Sequence, residues 1–328
     1  MDTAGPHPMP TSTLPGIART VSVLGLGTAA LGRPGYLNLG HGLDVDGVRD
    51  PAGLERRLHE VLDTAVTAGV TYVDTARSYG RGEEFVARWL QRRPATGAIT
   101  VGSKWGYRYV ADWQVDVDVH EVKDHSLGHL DHQWAETRTW LGDRVDLYQI
   151  HSATLDSGVL TDDAVLDRLA ELRHDGVAIG LTTSGPGQAD TIRAALEVRR
   201  GGDRLFDTVQ ATWNLLEPSA GPALAEAADA GLGVIVKEAV ANGRLTARVP
   251  ALAARLTDGV RHSADAVAIA AVLAQPWASV VLSGAATADQ LTSNLGALDV
   301  ADVDIDRLTD LAETPDEYWH RRSTLRWT

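Results

Sequence analysis

The sequence of 328 residues contains no cysteine. That excludes disulfides, thiolate catalysis and cysteine-ligated zinc or iron–sulfur centres, and it fits a reducing compartment such as the cytoplasm. No apolar run reaches the length of a membrane span, so no membrane partner is expected. Positive charge is in deficit: 30 Lys plus Arg stand against 44 Asp plus Glu, a formal net charge of −14. No basic stripe offsets this, so nucleic acid is not an expected partner. The acidity reads as a solvated surface. The first sixteen residues are rich in Pro, Thr and Ser and lack a charged segment followed by an apolar one. They do not form a secretory signal, and residues 1–18 read as a flexible tail.

Short apolar or β-branched runs alternate with longer amphipathic stretches. Eight runs stand out, over 21–26, 71–74, 99–103, 145–150, 178–182, 206–211, 233–237 and 279–283. Most are apolar at consecutive positions, as strands buried on both faces are. Eight helical patterns lie between and after them, over 54–68, 83–93, 120–141, 163–175, 188–199, 219–230, 263–274 and 288–298. Gly69, Gly176 and Gly231 stand just past three of these, where a glycine commonly ends a helix. Strict alternation implies βαβ units and a parallel sheet. Eight units imply closure into a single-domain (β/α)₈ barrel over 19–314, with a tail over 315–328. An open doubly wound sheet is the alternative on pattern alone. The long connections 32–50 and 106–119 follow the first and third strands, on the face where barrel active sites form.

Chemistry collects at three consecutive strand ends. Asp74 ends the second strand, and Tyr79 follows five residues later in Ser78-Tyr79-Gly80. Lys104 ends the third, and His151 ends the fourth. Neighbouring strands bring these groups to one rim. A phenol has an ordinary pKa of about 10. A lysine beside it stabilises the phenolate and lowers that value, a carboxylate keeps the lysine charged, and a histidine orients a carbonyl or relays a proton. This set suits proton delivery to a carbonyl oxygen while a cofactor supplies hydride.

Asp-Thr-Ala before Ser-Tyr-Gly, then Ser-Lys-Trp-Gly, then Asp-Leu-Tyr-Gln-Ile-His resembles the aldo-keto reductases. The resemblance runs from about residue 21 to 298. It implies a (β/α)₈ barrel, Tyr79 as general acid–base, Lys104 and Asp74 tuning it, and His151 placing the carbonyl. It also implies NADPH as cofactor, with NADH as the alternative, and a small carbonyl or alcohol as substrate. Gly27 and Thr28 end the first strand, where the family approaches the nicotinamide. Thr182 and Thr183 stand where the family usually shows Ser-Asn, and Gln210 matches a glutamine that binds the carboxamide. Lys237 replaces a stacking tyrosine. Its stem can cover a ring and its charge can meet a phosphate. Gly284 and Thr287 form a glycine turn into a helix N-terminus, a natural anion site. Gln290 and Asn294 share a helical face toward the adenine. Ala286 stands where relatives carry a cation for the 2′-phosphate, which narrows the expected preference for NADPH.

Nine tryptophans against two phenylalanines is an unusual balance. Trp105 and Trp113, with Tyr36, lie in or beside the long connections and read as an aromatic substrate wall. His120, His125, His129 and His132 read as the polar outer face of a helix over 120–141, so no metal site is expected. Two other functions share this pattern: a nucleotide-binding regulatory subunit with little turnover, and a barrel lyase or isomerase that uses no nicotinamide.

Overall fold

Eight short parallel strands close on themselves in chain order. They are Leu24–Gly27, Tyr72–Asp74, Thr100–Trp105, Leu147–Ala153, Ala178–Thr183, Thr208–Thr212, Gly233–Lys237 and Val280–Ser283, and the last pairs with the first. The computed structural model describes residues 8–93, 98–300 and 303–328. The strands are almost wholly buried because the barrel interior lies on one side and a helix layer on the other.

Helices over Pro51–Thr67, Gly82–Gln91, Leu127–Leu141, Asp163–His174, Gln188–Glu197, Gly221–Asp229, Ala264–Leu273 and Ala288–Leu295 form that layer. Their starts carry local signals. Asp50 accepts from Gly53 N ahead of Pro51, and Ser126, Asp162 and Thr287 cap in the same way. Gly69, Gly176 and Gly231 all have left-handed φ, at 89°, 95° and 87°, as helix-ending glycines do. No helix among the described residues is long and apolar enough to cross a membrane.

Three expectations change. Thr11–Thr13 pairs antiparallel with Thr20–Ser22, and Leu14 is buried with Tyr72, Leu147, Ile235 and Val280 at the floor of the barrel. The expected tail over 1–18 is therefore ordered from Thr11 onward, while residues 1–7 lie outside the described residues. The helix expected from residue 120 starts at Leu127. Before it, Val117, Val119 and Val122 interleave with polar residues at close to a two-residue period. Glu121–Lys123 accordingly pairs with Tyr107–Tyr109 as a hairpin over the rim. The expected tail after 314 contains a helix, Pro315–Ser323, started by a reciprocal Thr314–Glu317 cap.

Candidate active site

Asp74 lies between two glycines in the barrel register, Gly27 on the first strand and Gly102 on the third. A Cβ on Gly102 would fall 2.5 Å from the Tyr72 hydroxyl, so only glycine leaves room for the polar cluster beside it. Asp74 accepts from the Lys104 ammonium, from Gln210 Nε2 at 3.0 Å and from Gln149 Nε2 at 3.3 Å. Lys104 also donates to Thr75 O at 2.8 Å and reaches the Tyr79 hydroxyl at 3.5 Å. Both members of the ion pair are buried.

Tyr79 sits on the loop after the second strand. That loop packs closely on the first: a Cβ on Gly32 would fall 2.2 Å from Tyr79 O. His151 stands at a register break in the fourth strand, beside Ser152 with φ 53°. Such a break turns a side chain out of the regular pleat. The His151 ring meets Tyr79 edge-on at 5.6 Å, its Nδ1 lies 3.4 Å from the Ser78 hydroxyl, and its Nε2 has no partner among the described residues. The four expected residues are thus brought together. Tyr79, Asp74 and His151 line a cavity of about 250 Å³, with Lys104 behind Tyr79.

Ionisation departs from expectation at the phenol. Burial, then the Asp74 charge, push the Tyr79 hydroxyl well above the ordinary tyrosine range. Lys104 does not outweigh these, because its charge is shared with Asp74 and burial lowers its own pKa. Tyr79 is a neutral phenol at neutral pH, the form that can donate. Burial, then Lys104, Lys237 and Arg33, hold His151 well below its usual value, so its ring is neutral too.

The residues expected to face the cofactor divide. Gly27, Gln210, Lys237 and Gly284 line the cavity. Thr28, Thr182, Thr183, Thr287, Gln290 and Asn294 do not. Thr28 donates to Asp74 O, Thr182 accepts from Ser152 N at 2.7 Å, and the buried Thr183 hydroxyl has no partner among the described residues. Thr287 caps the last barrel helix, Gln290 accepts from Ala286 N, and Asn294 joins Ser283 to Asp265. Ala286 is itself buried. Of the expected substrate wall, only Tyr36 lines the cavity. Trp105 is buried in the helix layer against His125, and Trp113 packs beside Gly80 with its indole donating to Arg49 O at 2.6 Å.

Other segments complete the wall. Arg322, on the helix after the barrel, makes a two-pronged pair with Glu238, Nη2 donating to Oε1 at 2.5 Å and Nε to Oε2 at 3.0 Å. Against burial, which would raise it, Arg322 and Lys237 hold Glu238 down at about 2. Glu238 adopts φ 58°, a conformation costly outside glycine and commonly kept at functional sites. Trp327 stacks on His120 at 4.3 Å and under Arg33 at 4.4 Å, while residues 36 and 328 bond backbone to backbone. Arg33, Glu121, Ser152, Ser184, Glu238 and Arg322 were not singled out from the sequence. Of these, only Arg33 falls within the two long connections; the rest stand at strand ends, on the rim hairpin and on the last helix, with no recurring spacing.

The Aldo/keto reductase family profile matches residues 24–314. An uncharacterized oxidoreductase of Bacillus subtilis, YqkF, is 30% identical over 122 residues, 36% of this chain and 36% of that protein. The match spans about a third of that relative's length. Among solved structures, aldo-keto reductase AKR11C1 from Bacillus halodurans, in its holo form, superposes with a TM-score of 0.71 at 21% identity, covering 93% of this chain and 97% of that one. Glycerol dehydrogenase AKR11B4 from Gluconobacter oxydans gives 0.69 at 24% identity, with 95% of each chain covered. At these identities the superpositions show the barrel alone, and the matched profile shows the kinship: the chain belongs to the aldo/keto reductase family of NAD(P)H-dependent oxidoreductases.

Proposed function

We propose that the protein reduces an aldehyde or ketone, or oxidises the corresponding alcohol, with Tyr79 as the general acid–base. The observation that carries this reading is the Asp74–Lys104–Tyr79 chain beside a neutral His151 at one end of the cavity. The cavity also suits a nicotinamide. Gln210 spends its amide nitrogen on Asp74, and its Oε1 has no partner among the described residues, so it can accept from a carboxamide. A Cβ on Gly284 would meet nothing within 4 Å, leaving open space at the last strand end. Lys237 has no carboxylate within ion-pair reach among the described residues and donates only to the Thr212 hydroxyl, at 2.9 Å, so an anionic cofactor oxygen would complete its partners.

When bound, the cofactor supplies hydride to the carbonyl carbon. The protein handles the oxygen. His151 Nε2 donates to the carbonyl oxygen and fixes its direction. Tyr79 gives its proton as negative charge gathers there. Lys104, 3.5 Å from the hydroxyl, stabilises the phenolate left behind, and Asp74 holds Lys104 charged and aimed. In oxidation the same phenolate takes the proton back. A screen of aldehydes and ketones with each cofactor tests the reading. No turnover of any carbonyl by protein that binds cofactor would favour the regulatory alternative.

NADPH is the proposed cofactor, with a narrow margin over NADH. Position 286 offers no charge, and Ala286 is buried. Dissociation constants measured by tryptophan fluorescence should differ by about tenfold or less, the loss expected when one charge-assisted contact is missing. Affinity should also depend on pH. Burial lowers Lys237 to about 8. Its charge is present below that pH and lost above it, so both cofactors should bind more weakly as pH rises from 7 to 9. Lys237→Met should weaken binding at pH 7 and flatten the profile. A slope that persists in this variant would assign it to another group.

A further inference from the structure

His151 reaches the cavity where the fourth strand breaks its pairing. Ile150 pairs with Leu181 and Ala153 with Thr183, so His151 and Ser152 together stand opposite Thr182 alone. This is a β-bulge, which bends its strand and leaves backbone groups outside the ladder. Ser152 makes the bend with φ 53°, a left-handed conformation that is costly for a residue with a Cβ. Such a shape persists only where its surroundings hold it.

Three side chains from three segments do so, and each takes a backbone group of the bulge. Thr182, on the fifth strand, accepts from Ser152 N at 2.7 Å. Lys123, at the end of the rim hairpin, donates from Nζ to Ser152 O at 2.9 Å. His125 stands between that hairpin and the helix Leu127–Leu141, not on the helix face where the sequence pattern put it. Its Nε2 lies 3.0 Å from His151 O. A carbonyl oxygen only accepts, so this nitrogen carries the proton and donates. The site is shaped around the ring. A Cβ on Gly106, which has φ 115°, would fall 2.5 Å from the His125 ring, and Trp105 meets that ring edge-on at 5.7 Å. Burial lowers His125 to about 4, so the donor is neutral at pH 7. Thr182 and Lys123 hold Ser152. Of the three, only His125 holds the residue whose ring faces the cavity.

We propose that His125 is a positioning residue for the reaction: by donating to the His151 carbonyl it keeps the bulge in its left-handed shape and aims the His151 ring at the substrate oxygen. This rests on the role given to His151 above. Without the donor, the carbonyl is a partly buried acceptor with no partner, and Ser152 relieves its strain by turning back toward the regular pleat. That turn carries the His151 ring away from Tyr79 and Tyr107, which meet it edge-on at 5.6 and 5.0 Å.

The test compares His125→Leu, which has no donor, with His125→Gln, whose amide nitrogen stands as many bonds from Cα as Nε2 does. Two readouts are taken. One is steady-state turnover on a confirmed carbonyl. The other is the His151 Cε1–H NMR signal of the cofactor-loaded protein, assigned by its loss in His151→Gln and sensitive to ring direction through the two tyrosines. His125→Leu should lower kcat by about tenfold or more, the scale of a reacting group misplaced by a fraction of an ångström to an ångström. It should shift the signal and leave cofactor affinity close to wild type. His125→Gln should restore most of both. Adding Ser152→Gly to His125→Leu should also recover part of both, because glycine takes left-handed φ without strain. If His125→Leu does not fold, His125→Asn, one bond short of the carbonyl, serves in its place. Equal losses in the leucine and glutamine variants, an unmoved signal in both, or no recovery with glycine would overturn the proposal. A signal that shifts and recovers as described while turnover stays at wild type would keep His125 as the clamp and sink the role given to His151.

Discussion

Tyr79→Phe should lower kcat by about 10²–10⁴-fold, the range positioned acid–base groups supply, while cofactor affinity stays close to wild type. The geometry makes this a clean substitution. The hydroxyl's one hydrogen-bond partner among the described residues is Lys104, at 3.5 Å. The ring's edge contact with His151 and its place beneath Arg33 survive in phenylalanine. Stability should therefore change by less than about 1 kcal/mol, and a large loss of rate would report on the proton alone. The check is steady-state turnover on a confirmed substrate together with a cofactor titration. Near-wild-type turnover would remove Tyr79 from the mechanism.

Lys104→Met should act on fold and rate together. It leaves the Asp74 charge buried with only neutral partners, Gln149, Gln210 and Tyr72. Removing one member of a buried ion pair costs about 3–5 kcal/mol, and urea unfolding should show a loss of that size. Adding Asp74→Asn should restore most of the stability, since no uncompensated charge remains. It should not restore the rate, because nothing then supports the phenolate. Alcohol oxidation, which needs that phenolate, should shift to higher pH in the single variant, as the nearby cation is gone. Recovery of both stability and rate in the double variant would show that the lysine serves only to neutralise Asp74.

The barrel was legible because eight apolar runs and eight amphipathic stretches alternate without interruption. The cluster of Asp74, Tyr79, Lys104 and His151 was legible because strand ends place such residues on one rim. What a strand end does not announce is its face. Lys104 points to the interior, so Trp105, the next residue, points outward into the helix layer, and the expectation of an aromatic wall failed there. Nor could the state of Tyr79 be read from its neighbours in sequence. Burial dominates it, and the surrounding wall comes from Arg33, Glu121 and Trp327, segments far apart in the chain. The hairpin over the rim was missed because its alternation is short and runs directly into a helix.

The pairing of Leu24–Gly27 with Val280–Ser283 has a consequence for synthesis. The first strand gains one neighbour as soon as residues 72–74 emerge, but its other edge waits for a partner near the far end of the chain. At roughly 5–20 residues per second, that edge stays uncovered for on the order of 10–50 s on the ribosome. During that interval its open backbone groups are a template for any passing extended segment. Nascent chains stalled before residue 280 should therefore hold chaperone or aggregate, and those released after residue 283 should not.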